Sequence, residues 1–183
     1  MLLQSTQNNL STPLINFNLK GTDEHFYSTE DFKDREILVI IFMCNHCPYV
    51  KAVVKRFARF QENYSSKGVQ LIGINPNDVS TYPQDSFENM KKFYEEYKMN
   101  FPYLIDETQE TAQAYGAVCT PDIYLYDVNR ILKYRGRFDN NWKDESNVTQ
   151  NDLEMVTEMI LEGKSISSIE QIPSMGCSIK WKN

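Results

Sequence analysis

The sequence predicts an α/β sandwich, a mixed central β-sheet flanked by helices. Two short apolar runs and a change of period between them carry that reading. Residues 37–43, "ILVIIFM", and 69–75, "VQLIGIN", are rich in β-branched side chains, as strands buried on both faces of a sheet are. Between them Val50, Val53, Val54, Phe57, Phe60 and Tyr64 recur at helical spacing, with Lys51, Lys55, Arg56 and Arg59 expected on the outward face. Gly68 closes that helix. Strand, helix and strand make a βαβ unit, so the two strands are expected to run parallel with a right-handed crossover.

The other elements follow in order. Residues 14–32 predict an N-terminal β-hairpin turning around Gly21–Asp23, then a short turn of helix, while residues 1–12 are expected to be flexible. After a polar loop (76–85), Asp85 and Glu88 fit a capping box for a second helix with Phe87, Met90, Phe93, Tyr94 and Tyr97 inward. "FPYLID" reads as a short strand whose Pro102 argues for an edge position or irregular pairing. A small helix near 108–115 ends at Gly116. "DIYLYD" and "ILKYRGR", split by a turn at Val128–Arg130, predict an antiparallel hairpin. A last helix over 150–162 turns Leu153, Val156, Met159 and Ile160 inward and stops at Gly163. Residues 164–183 form the tail of one domain spanning 1–183.

Apolar residues at 41% and charged residues at 24% are ordinary globular values. A net charge of −6 argues against nucleic acid or an anionic membrane as the partner. The opening "MLLQSTQNNLSTP" has neither a basic region nor an apolar core, and the sequence contains no run of about eighteen apolar residues. A cytoplasmic location is expected. In such a compartment paired cysteines point to catalysis or metal rather than to a disulfide scaffold.

The stretch "FMCNHCPYV" places Cys44 where the first buried strand ends and the next helix begins. Residues three apart in a first helical turn share a side, so Cys44 and Cys47 can come within disulfide range, about 4.4–6.8 Å between Cα atoms. Free N–H groups at a helix start favour a thiolate, and Pro48 fits the first turn because a missing N–H costs nothing there. Cys44 is therefore expected to be the more exposed sulfur, with a pKa below the free value of about 8.5. His46 can tune the couple, or stand idle at the surface. Other readings of the pair are core filler, or a metal knuckle that would need two more ligands, for which Cys119 and Cys177 stand singly. Covalent haem attachment is excluded by Pro48, which stands where a histidine would be needed.

Together, "FMCNHCPYVK", "LIGINPND", "YGAVCTPDIYLYD", "YRGRFD", "ILEGKSI" and "GCSIKWK" resemble the redoxin branch of alkyl hydroperoxide reductase and thiol-specific antioxidant proteins, in its peroxiredoxin-like subgroup. The resemblance runs from about residue 13 to 182 and implies a thioredoxin-like fold. It also implies that Cys44 attacks, that Cys47 resolves, and that Thr120–Pro121 is a cis bond facing the pair. The backbone before that proline would pair with a substrate chain as a strand does.

Departures from the pattern matter too. When Cys47 is laid on the peroxide-attacking cysteine of peroxiredoxins, Ile40 and Cys44 stand where proline and threonine or serine belong. Compared with thioredoxin, Met43 replaces a tryptophan and Asn45–His46 replaces Gly-Pro. "ILVIIF" also lacks the buried acid, which leaves His46 or a water as proton acceptor for Cys47.

The expected function is a thiol–disulfide oxidoreductase using Cys44 and Cys47. The alternatives are a thiol peroxidase with Cys44 attacking and Cys47 resolving, or a thioredoxin-fold binding or redox-sensing module that is not an enzyme. The implied partners are a protein or small-molecule disulfide and a thioredoxin- or glutathione-type reductant, with no cofactor and no metal. Cys119, one residue before Thr120, reads as a buried structural thiol or else as an extra thiol approaching the pair, and Cys177 as an extra thiol of open role. Asn75 and Asp78 lie at the sheet edge near Cys44, where turn chemistry explains them equally well, and Arg137 and Asp139 read as an exposed ion pair.

Overall fold

The computed structural model describes residues 1–5 and 10–182. In chain order its strands are β1 (Leu2–Gln4), β2 (Asn18–Gly21), β3 (Phe26–Ser28), β4 (Ile37–Phe42), β5 (Val69–Asn75), β6 (Tyr103–Ile105), β7 (Cys119–Thr120), β8 (Asp122–Tyr126), β9 (Leu132–Gly136) and β10 (Met175–Ser178). The helices are α1 (Pro48–Tyr64), α2 (Phe87–Glu96), α3 (Glu110–Tyr115) and α4 (Asp152–Leu161). None of the described helices is long and apolar enough to cross a membrane.

Seven strands form a mixed sheet in the order β3-β2-β6-β5-β4-β8-β9, with β4, β5 and β6 parallel and the other pairings antiparallel. The continuous apolar run of β4 has a simple cause. Ile37, Val39 and Ile41 pack on one face under α1, α2 and α4, while Leu38, Ile40 and Phe42 pack on the other with Ala112 and Tyr115 of α3. Both faces are covered, so neither set of alternate positions can be polar. The helix stripe is confirmed: Val50, Val53, Val54, Phe57, Phe60 and Tyr64 are all buried.

Four expectations are corrected. Residues 1–12 are not featureless, because β1 pairs antiparallel with β10; residues 6–9 of that stretch lie outside the described residues. β6 is an interior strand between β2 and β5, and it accommodates Pro102 by starting one residue later, at Tyr103. The Pro102 carbonyl still accepts from the Gly73 N–H at 2.9 Å, so only the missing donor is lost. In α4, Leu153 and Val156 are buried and Ile160 packs on the core; Met155 and Leu161 join them there, while Met159 is only partly buried.

Arg56 is the fourth. It is buried rather than outward, paired with Asp139 and donating to the carbonyls of Asn141 at 3.0 Å and Trp142 at 2.6 Å. Asp139 and Arg137 are thus not an exposed pair with each other; Arg137 binds Asp152 at 2.8 Å. Helical spacing shows which side of a helix a residue occupies, but not that an acid 83 positions away waits there.

Removing one member of a buried ion pair strands the other. Asp139→Ala is expected to cost about 3–5 kcal/mol in urea unfolding. A loss below about 1 kcal/mol, the range of an exposed pair, would show that Arg56 finds water in the folded state.

Candidate active site

Cys47 is the N-cap of α1, with φ −69° and ψ 120°, and Pro48 takes the first helical position. The turn from Cys44 to Cys47 therefore precedes the helix, so Cys47 and not Cys44 meets the helix N-terminus. The Thr120–Pro121 bond is cis and faces the pair, as expected. Cys44 Sγ lies 3.5 Å from Thr120 Oγ1, and Cys47 Sγ lies 3.1 Å from the Thr120 carbonyl oxygen. Both cysteines are at 0% exposure, so the expected greater exposure of Cys44 is not found.

The expected order of acidities is also reversed. A hydrogen bond from the Cys44 thiol, then those from the Thr120 hydroxyl and the Val50 and Cys177 N–H groups, outweigh burial and lower the Cys47 thiol to about 5. The Thr120 carbonyl, which accepts from the Cys47 thiol at 3.1 Å, works in the opposite direction. Cys44 is pushed up by its hydrogen bond with Cys47, by burial and by the nearby Asp85 carboxylate. Two thiols sharing one proton keep the charge on the sulfur that sits at the helix cap.

Asp85 is the site residue that the sequence pattern hides. It does not cap α2; Ser86 does, accepting from the Asn89 N–H. Asp85 instead is fully buried and turns to the cysteine loop. Its Oδ1 accepts from the Asn45 N–H at 2.8 Å and the His46 N–H at 3.2 Å. Its Oδ2 takes His46 Nδ1 at 2.6 Å and Asn77 Nδ2 at 2.7 Å. Burial opposes ionisation, but these hydrogen bonds prevail and hold the carboxyl below its ordinary range. An ionised carboxylate only accepts, so His46 Nδ1 carries the proton, and in the neutral ring Nε2 is the acceptor nitrogen. The signal was present in "DSFEN": Ser86 and Asn89 suit a cap as well as Asp85 and Glu88 do, and that choice leaves Asp85 to be placed elsewhere.

The remaining residues divide by what they touch. Asn45 is clamped between the Tyr103 hydroxyl at 2.9 Å and the Gln84 carbonyl at 3.0 Å. His46 stacks on Tyr82 and keeps about a quarter of its side chain exposed. Asn75 donates to the Asp85 carbonyl at 3.0 Å, whereas Asp78 serves its own loop through Ser80 and Thr81. Cys119 is buried and alternates away from Thr120, and burial pushes its thiol up. Cys177 lies on β10 opposite Thr120.

Among the described residues, Cys44, His46 and Asp85 bring metal-binding atoms within 4.8 Å of one another. Each Asp85 oxygen already accepts two hydrogen bonds, so an ion there would have to displace at least one of them. A cavity of about 640 Å³ lies beside β9 and residues 163–171, and none of the cysteines lines it.

Two measurements test this electrostatic picture. Thiolate absorbance at 240 nm should show one wave near pH 5 in the wild type, and Cys44→Ala should move it toward the free value of about 8.5. A single wave near the free value in the wild type would refute the shared-proton pair. Asp85 has a lowered folded-state pKa, so its stabilisation is present above the unfolded value and is lost as pH falls through the folded one. Asp85→Asn should therefore destabilise at pH 7, with the difference from wild type shrinking below about pH 4.

Known proteins resemble this chain to different extents. A crystal structure of a hypothetical protein from Sinorhizobium meliloti 1021 matches with TM-score 0.93 and 36% identity over 98% of each chain. An uncharacterized conserved protein from Geobacillus kaustophilus matches with TM-score 0.91 and 41% identity, over 100% of this chain and 97% of that one. The thioredoxin domain of a thiol-disulfide oxidoreductase from Bacteroides vulgatus shares the fold at TM-score 0.66 and 16% identity, over 85% of this chain and 99% of that one. In sequence, peroxiredoxin Q of Oryza sativa subsp. japonica is 24% identical over 140 residues, 73% of this chain. The matched region is 60% of that relative's length. The AhpC/TSA family model matches residues 10–135. With a thioredoxin-like fold and a Cys-x-x-Cys turn against a cis-proline, the chain belongs to the AhpC/TSA family.

Proposed function

We propose that the protein is a thiol–disulfide oxidoreductase in which Cys47 is the attacking thiolate and Cys44 the resolving thiol. The observation that carries this is the seat of Cys47 at the α1 N-cap, with the Thr120–Pro121 loop against both sulfurs; the lowered Cys47 thiol agrees with it. The assignment reverses the roles implied by resemblance, because the helix begins after the second cysteine rather than the first.

The steps balance. Cys47 thiolate attacks one sulfur of a disulfide, the other sulfur leaves as a thiolate, and a mixed disulfide remains on Cys47. Cys44 then gives up its proton and attacks the Cys47 sulfur, which releases the second substrate thiolate and leaves a Cys44–Cys47 bond. The proton acceptor is the His46–Asp85 pair, one atom of each lying within 4.8 Å of Cys44 Sγ, a distance short enough for transfer through a single water. His46 is partly exposed and passes the proton to solvent. Two equivalents of an outside thiol, of thioredoxin or glutathione type, restore the dithiol.

A second reading has one observation in its favour. Cys47, the lower-pKa sulfur, holds the position that matches the peroxide-attacking cysteine of peroxiredoxins. Thiolate attack on a peroxide would give a sulfenic acid there, and Cys44 would condense with it, releasing water. Against this, the buried cations Arg56 and Arg135 are paired with Asp139 and Asp122, and Ile40 and Cys44 replace the residues that shape the peroxide site.

Stopped-flow rates separate the two. Exchange with a small disulfide should be fast, while hydrogen peroxide should react no faster than with an ordinary thiolate of the same pKa. Cys44→Ser combined with Cys177→Ser, which leaves no second thiol beside Cys47, should trap a mixed disulfide on Cys47, and Cys47→Ser should abolish exchange. Asp85→Asn should slow resolution by about 10²-fold, the lower end for positioned acid–base groups. Peroxide consumption orders of magnitude above a free thiolate would favour the peroxidase instead.

A further inference from the structure

We propose that Cys177 is a third redox thiol, a relay that carries the disulfide from the buried Cys44–Cys47 pair to the protein surface. The proposal rests on the dithiol reading above and adds the route by which an outside reductant reaches that pair.

Burial poses the problem. Cys44 and Cys47 are both at 0% exposure, so an outside sulfur, substrate or reductant, meets Cys47 only when the turn opens, whereas an exposed thiol beside the pair gives the reductant a route that needs no opening. Of the four cysteines, Cys177 alone is partly exposed. Its side chain packs on the cluster that holds Cys44 and Cys47, and its strand partner Thr120 accepts from the Cys47 thiol through its carbonyl at 3.1 Å. Cys119 has neither property: it is buried and alternates away from the pair.

The approach of Cys177 is built into the backbone. β10 runs antiparallel between β1 and β7, with Cys177 opposite Thr120 on one side and Leu2 on the other. Gly176 makes the close approach possible, since a Cβ there would lie 1.9 Å from the Thr120 carbonyl oxygen and 2.6 Å from its carbon. Beyond the strand, the Ile179 N–H donates to the Val118 carbonyl at 3.0 Å and the Asp78 N–H to the Lys180 carbonyl at 2.8 Å. The tail is therefore fixed on both sides of Cys177.

The chemistry closes in two exchanges. Once the pair is oxidised, Cys177 attacks Cys47 Sγ, the Cys44–Cys47 bond breaks, and the proton of Cys177 passes to Cys44. An outside thiol then attacks the exposed Cys177 sulfur and releases Cys47 thiolate, and a second outside thiol frees Cys177 as the outside disulfide forms. In the reduced protein, burial and then the neighbouring Cys47 thiolate push the Cys177 thiol up to about 11. Oxidation of the pair removes the second of these causes, so Cys177 is activated when it is needed.

The test uses the full chain, oxidised with diamide, alkylated and digested with trypsin without reduction. Peptide 36–51 holds Cys44 and Cys47, and peptide 165–180 holds Cys177. Cys44→Ser should yield these two peptides joined by a Cys47–Cys177 bond. Re-reduction of the oxidised wild type by glutathione should be at least about tenfold faster than that of Cys177→Ser, whose Cys44–Cys47 bond still forms. Gly176→Val, which pushes β10 off β7, should slow re-reduction equally although Cys177 is present. Failure of the joined peptides to appear in Cys44→Ser, or re-reduction of Cys177→Ser at the wild-type rate, would overturn the relay alone. A wild type that forms no Cys44–Cys47 bond would overturn the dithiol reading and the relay with it.

Discussion

A buried carboxylate holds the reactive turn in shape. The segment from Cys44 to Cys47 leaves β4 but has not yet entered α1, so its N–H groups lack a ladder or helix partner. Asp85 supplies acceptors to the N–H groups of Asn45 and His46 and to the His46 ring. Burying an ionised carboxylate is costly unless its lone pairs are met, and four charge-assisted hydrogen bonds meet them. Asn77 supplies the fourth, and Asn75 holds the Asp85 carbonyl, so the loop after β5 is shaped around this one side chain. Asp85 therefore sets the turn geometry and disfavours a negative charge on Cys44. Cys47, by contrast, sits at the helix cap, which favours a negative charge.

The second constraint is the tail. β10 lies against the cis-proline loop, and the residues after it join the loop that carries Asn77 and Asp78. Lys180 lies over the Tyr82 ring, which itself stacks on His46. One segment therefore touches both halves of the site, the sulfurs through Cys177 and the acid–base pair through Tyr82. Changes in the tail should be felt in the redox chemistry even though the tail lies about 130 residues from the cysteine turn.

The large elements and the location of the site were legible in the sequence because both depend on short-range patterns. Continuous apolar runs fixed β4 and β5, helical spacing fixed the inner face of α1, and glycines marked the ends of α1's terminal turn and of α3. Cys-x-x-Cys at a strand end located the chemistry, and "CTP" located the cis-proline that faces it.

Local patterns could not say which sulfur holds the charge, because that depends on where α1 begins and on donors from β7 and β10. Nor could they reveal Asp85, which satisfies a capping pattern as written and is drawn inward only by the unpaired N–H groups of a loop 39–40 residues away. Arg56 and Asp139 look solvent-facing for the same reason, since each is acceptable at a surface until the other is brought beside it. The sequence by itself determined the α/β architecture, the cysteine pair and its placement at a strand end, since apolar periodicity and residue spacing act within a few residues. Only the tertiary structure decided the seat of Cys47 at the α1 cap, the turn of Asp85 toward the cysteine loop and the place of Cys177 opposite Thr120, because each is set by groups that meet only when distant segments pack together.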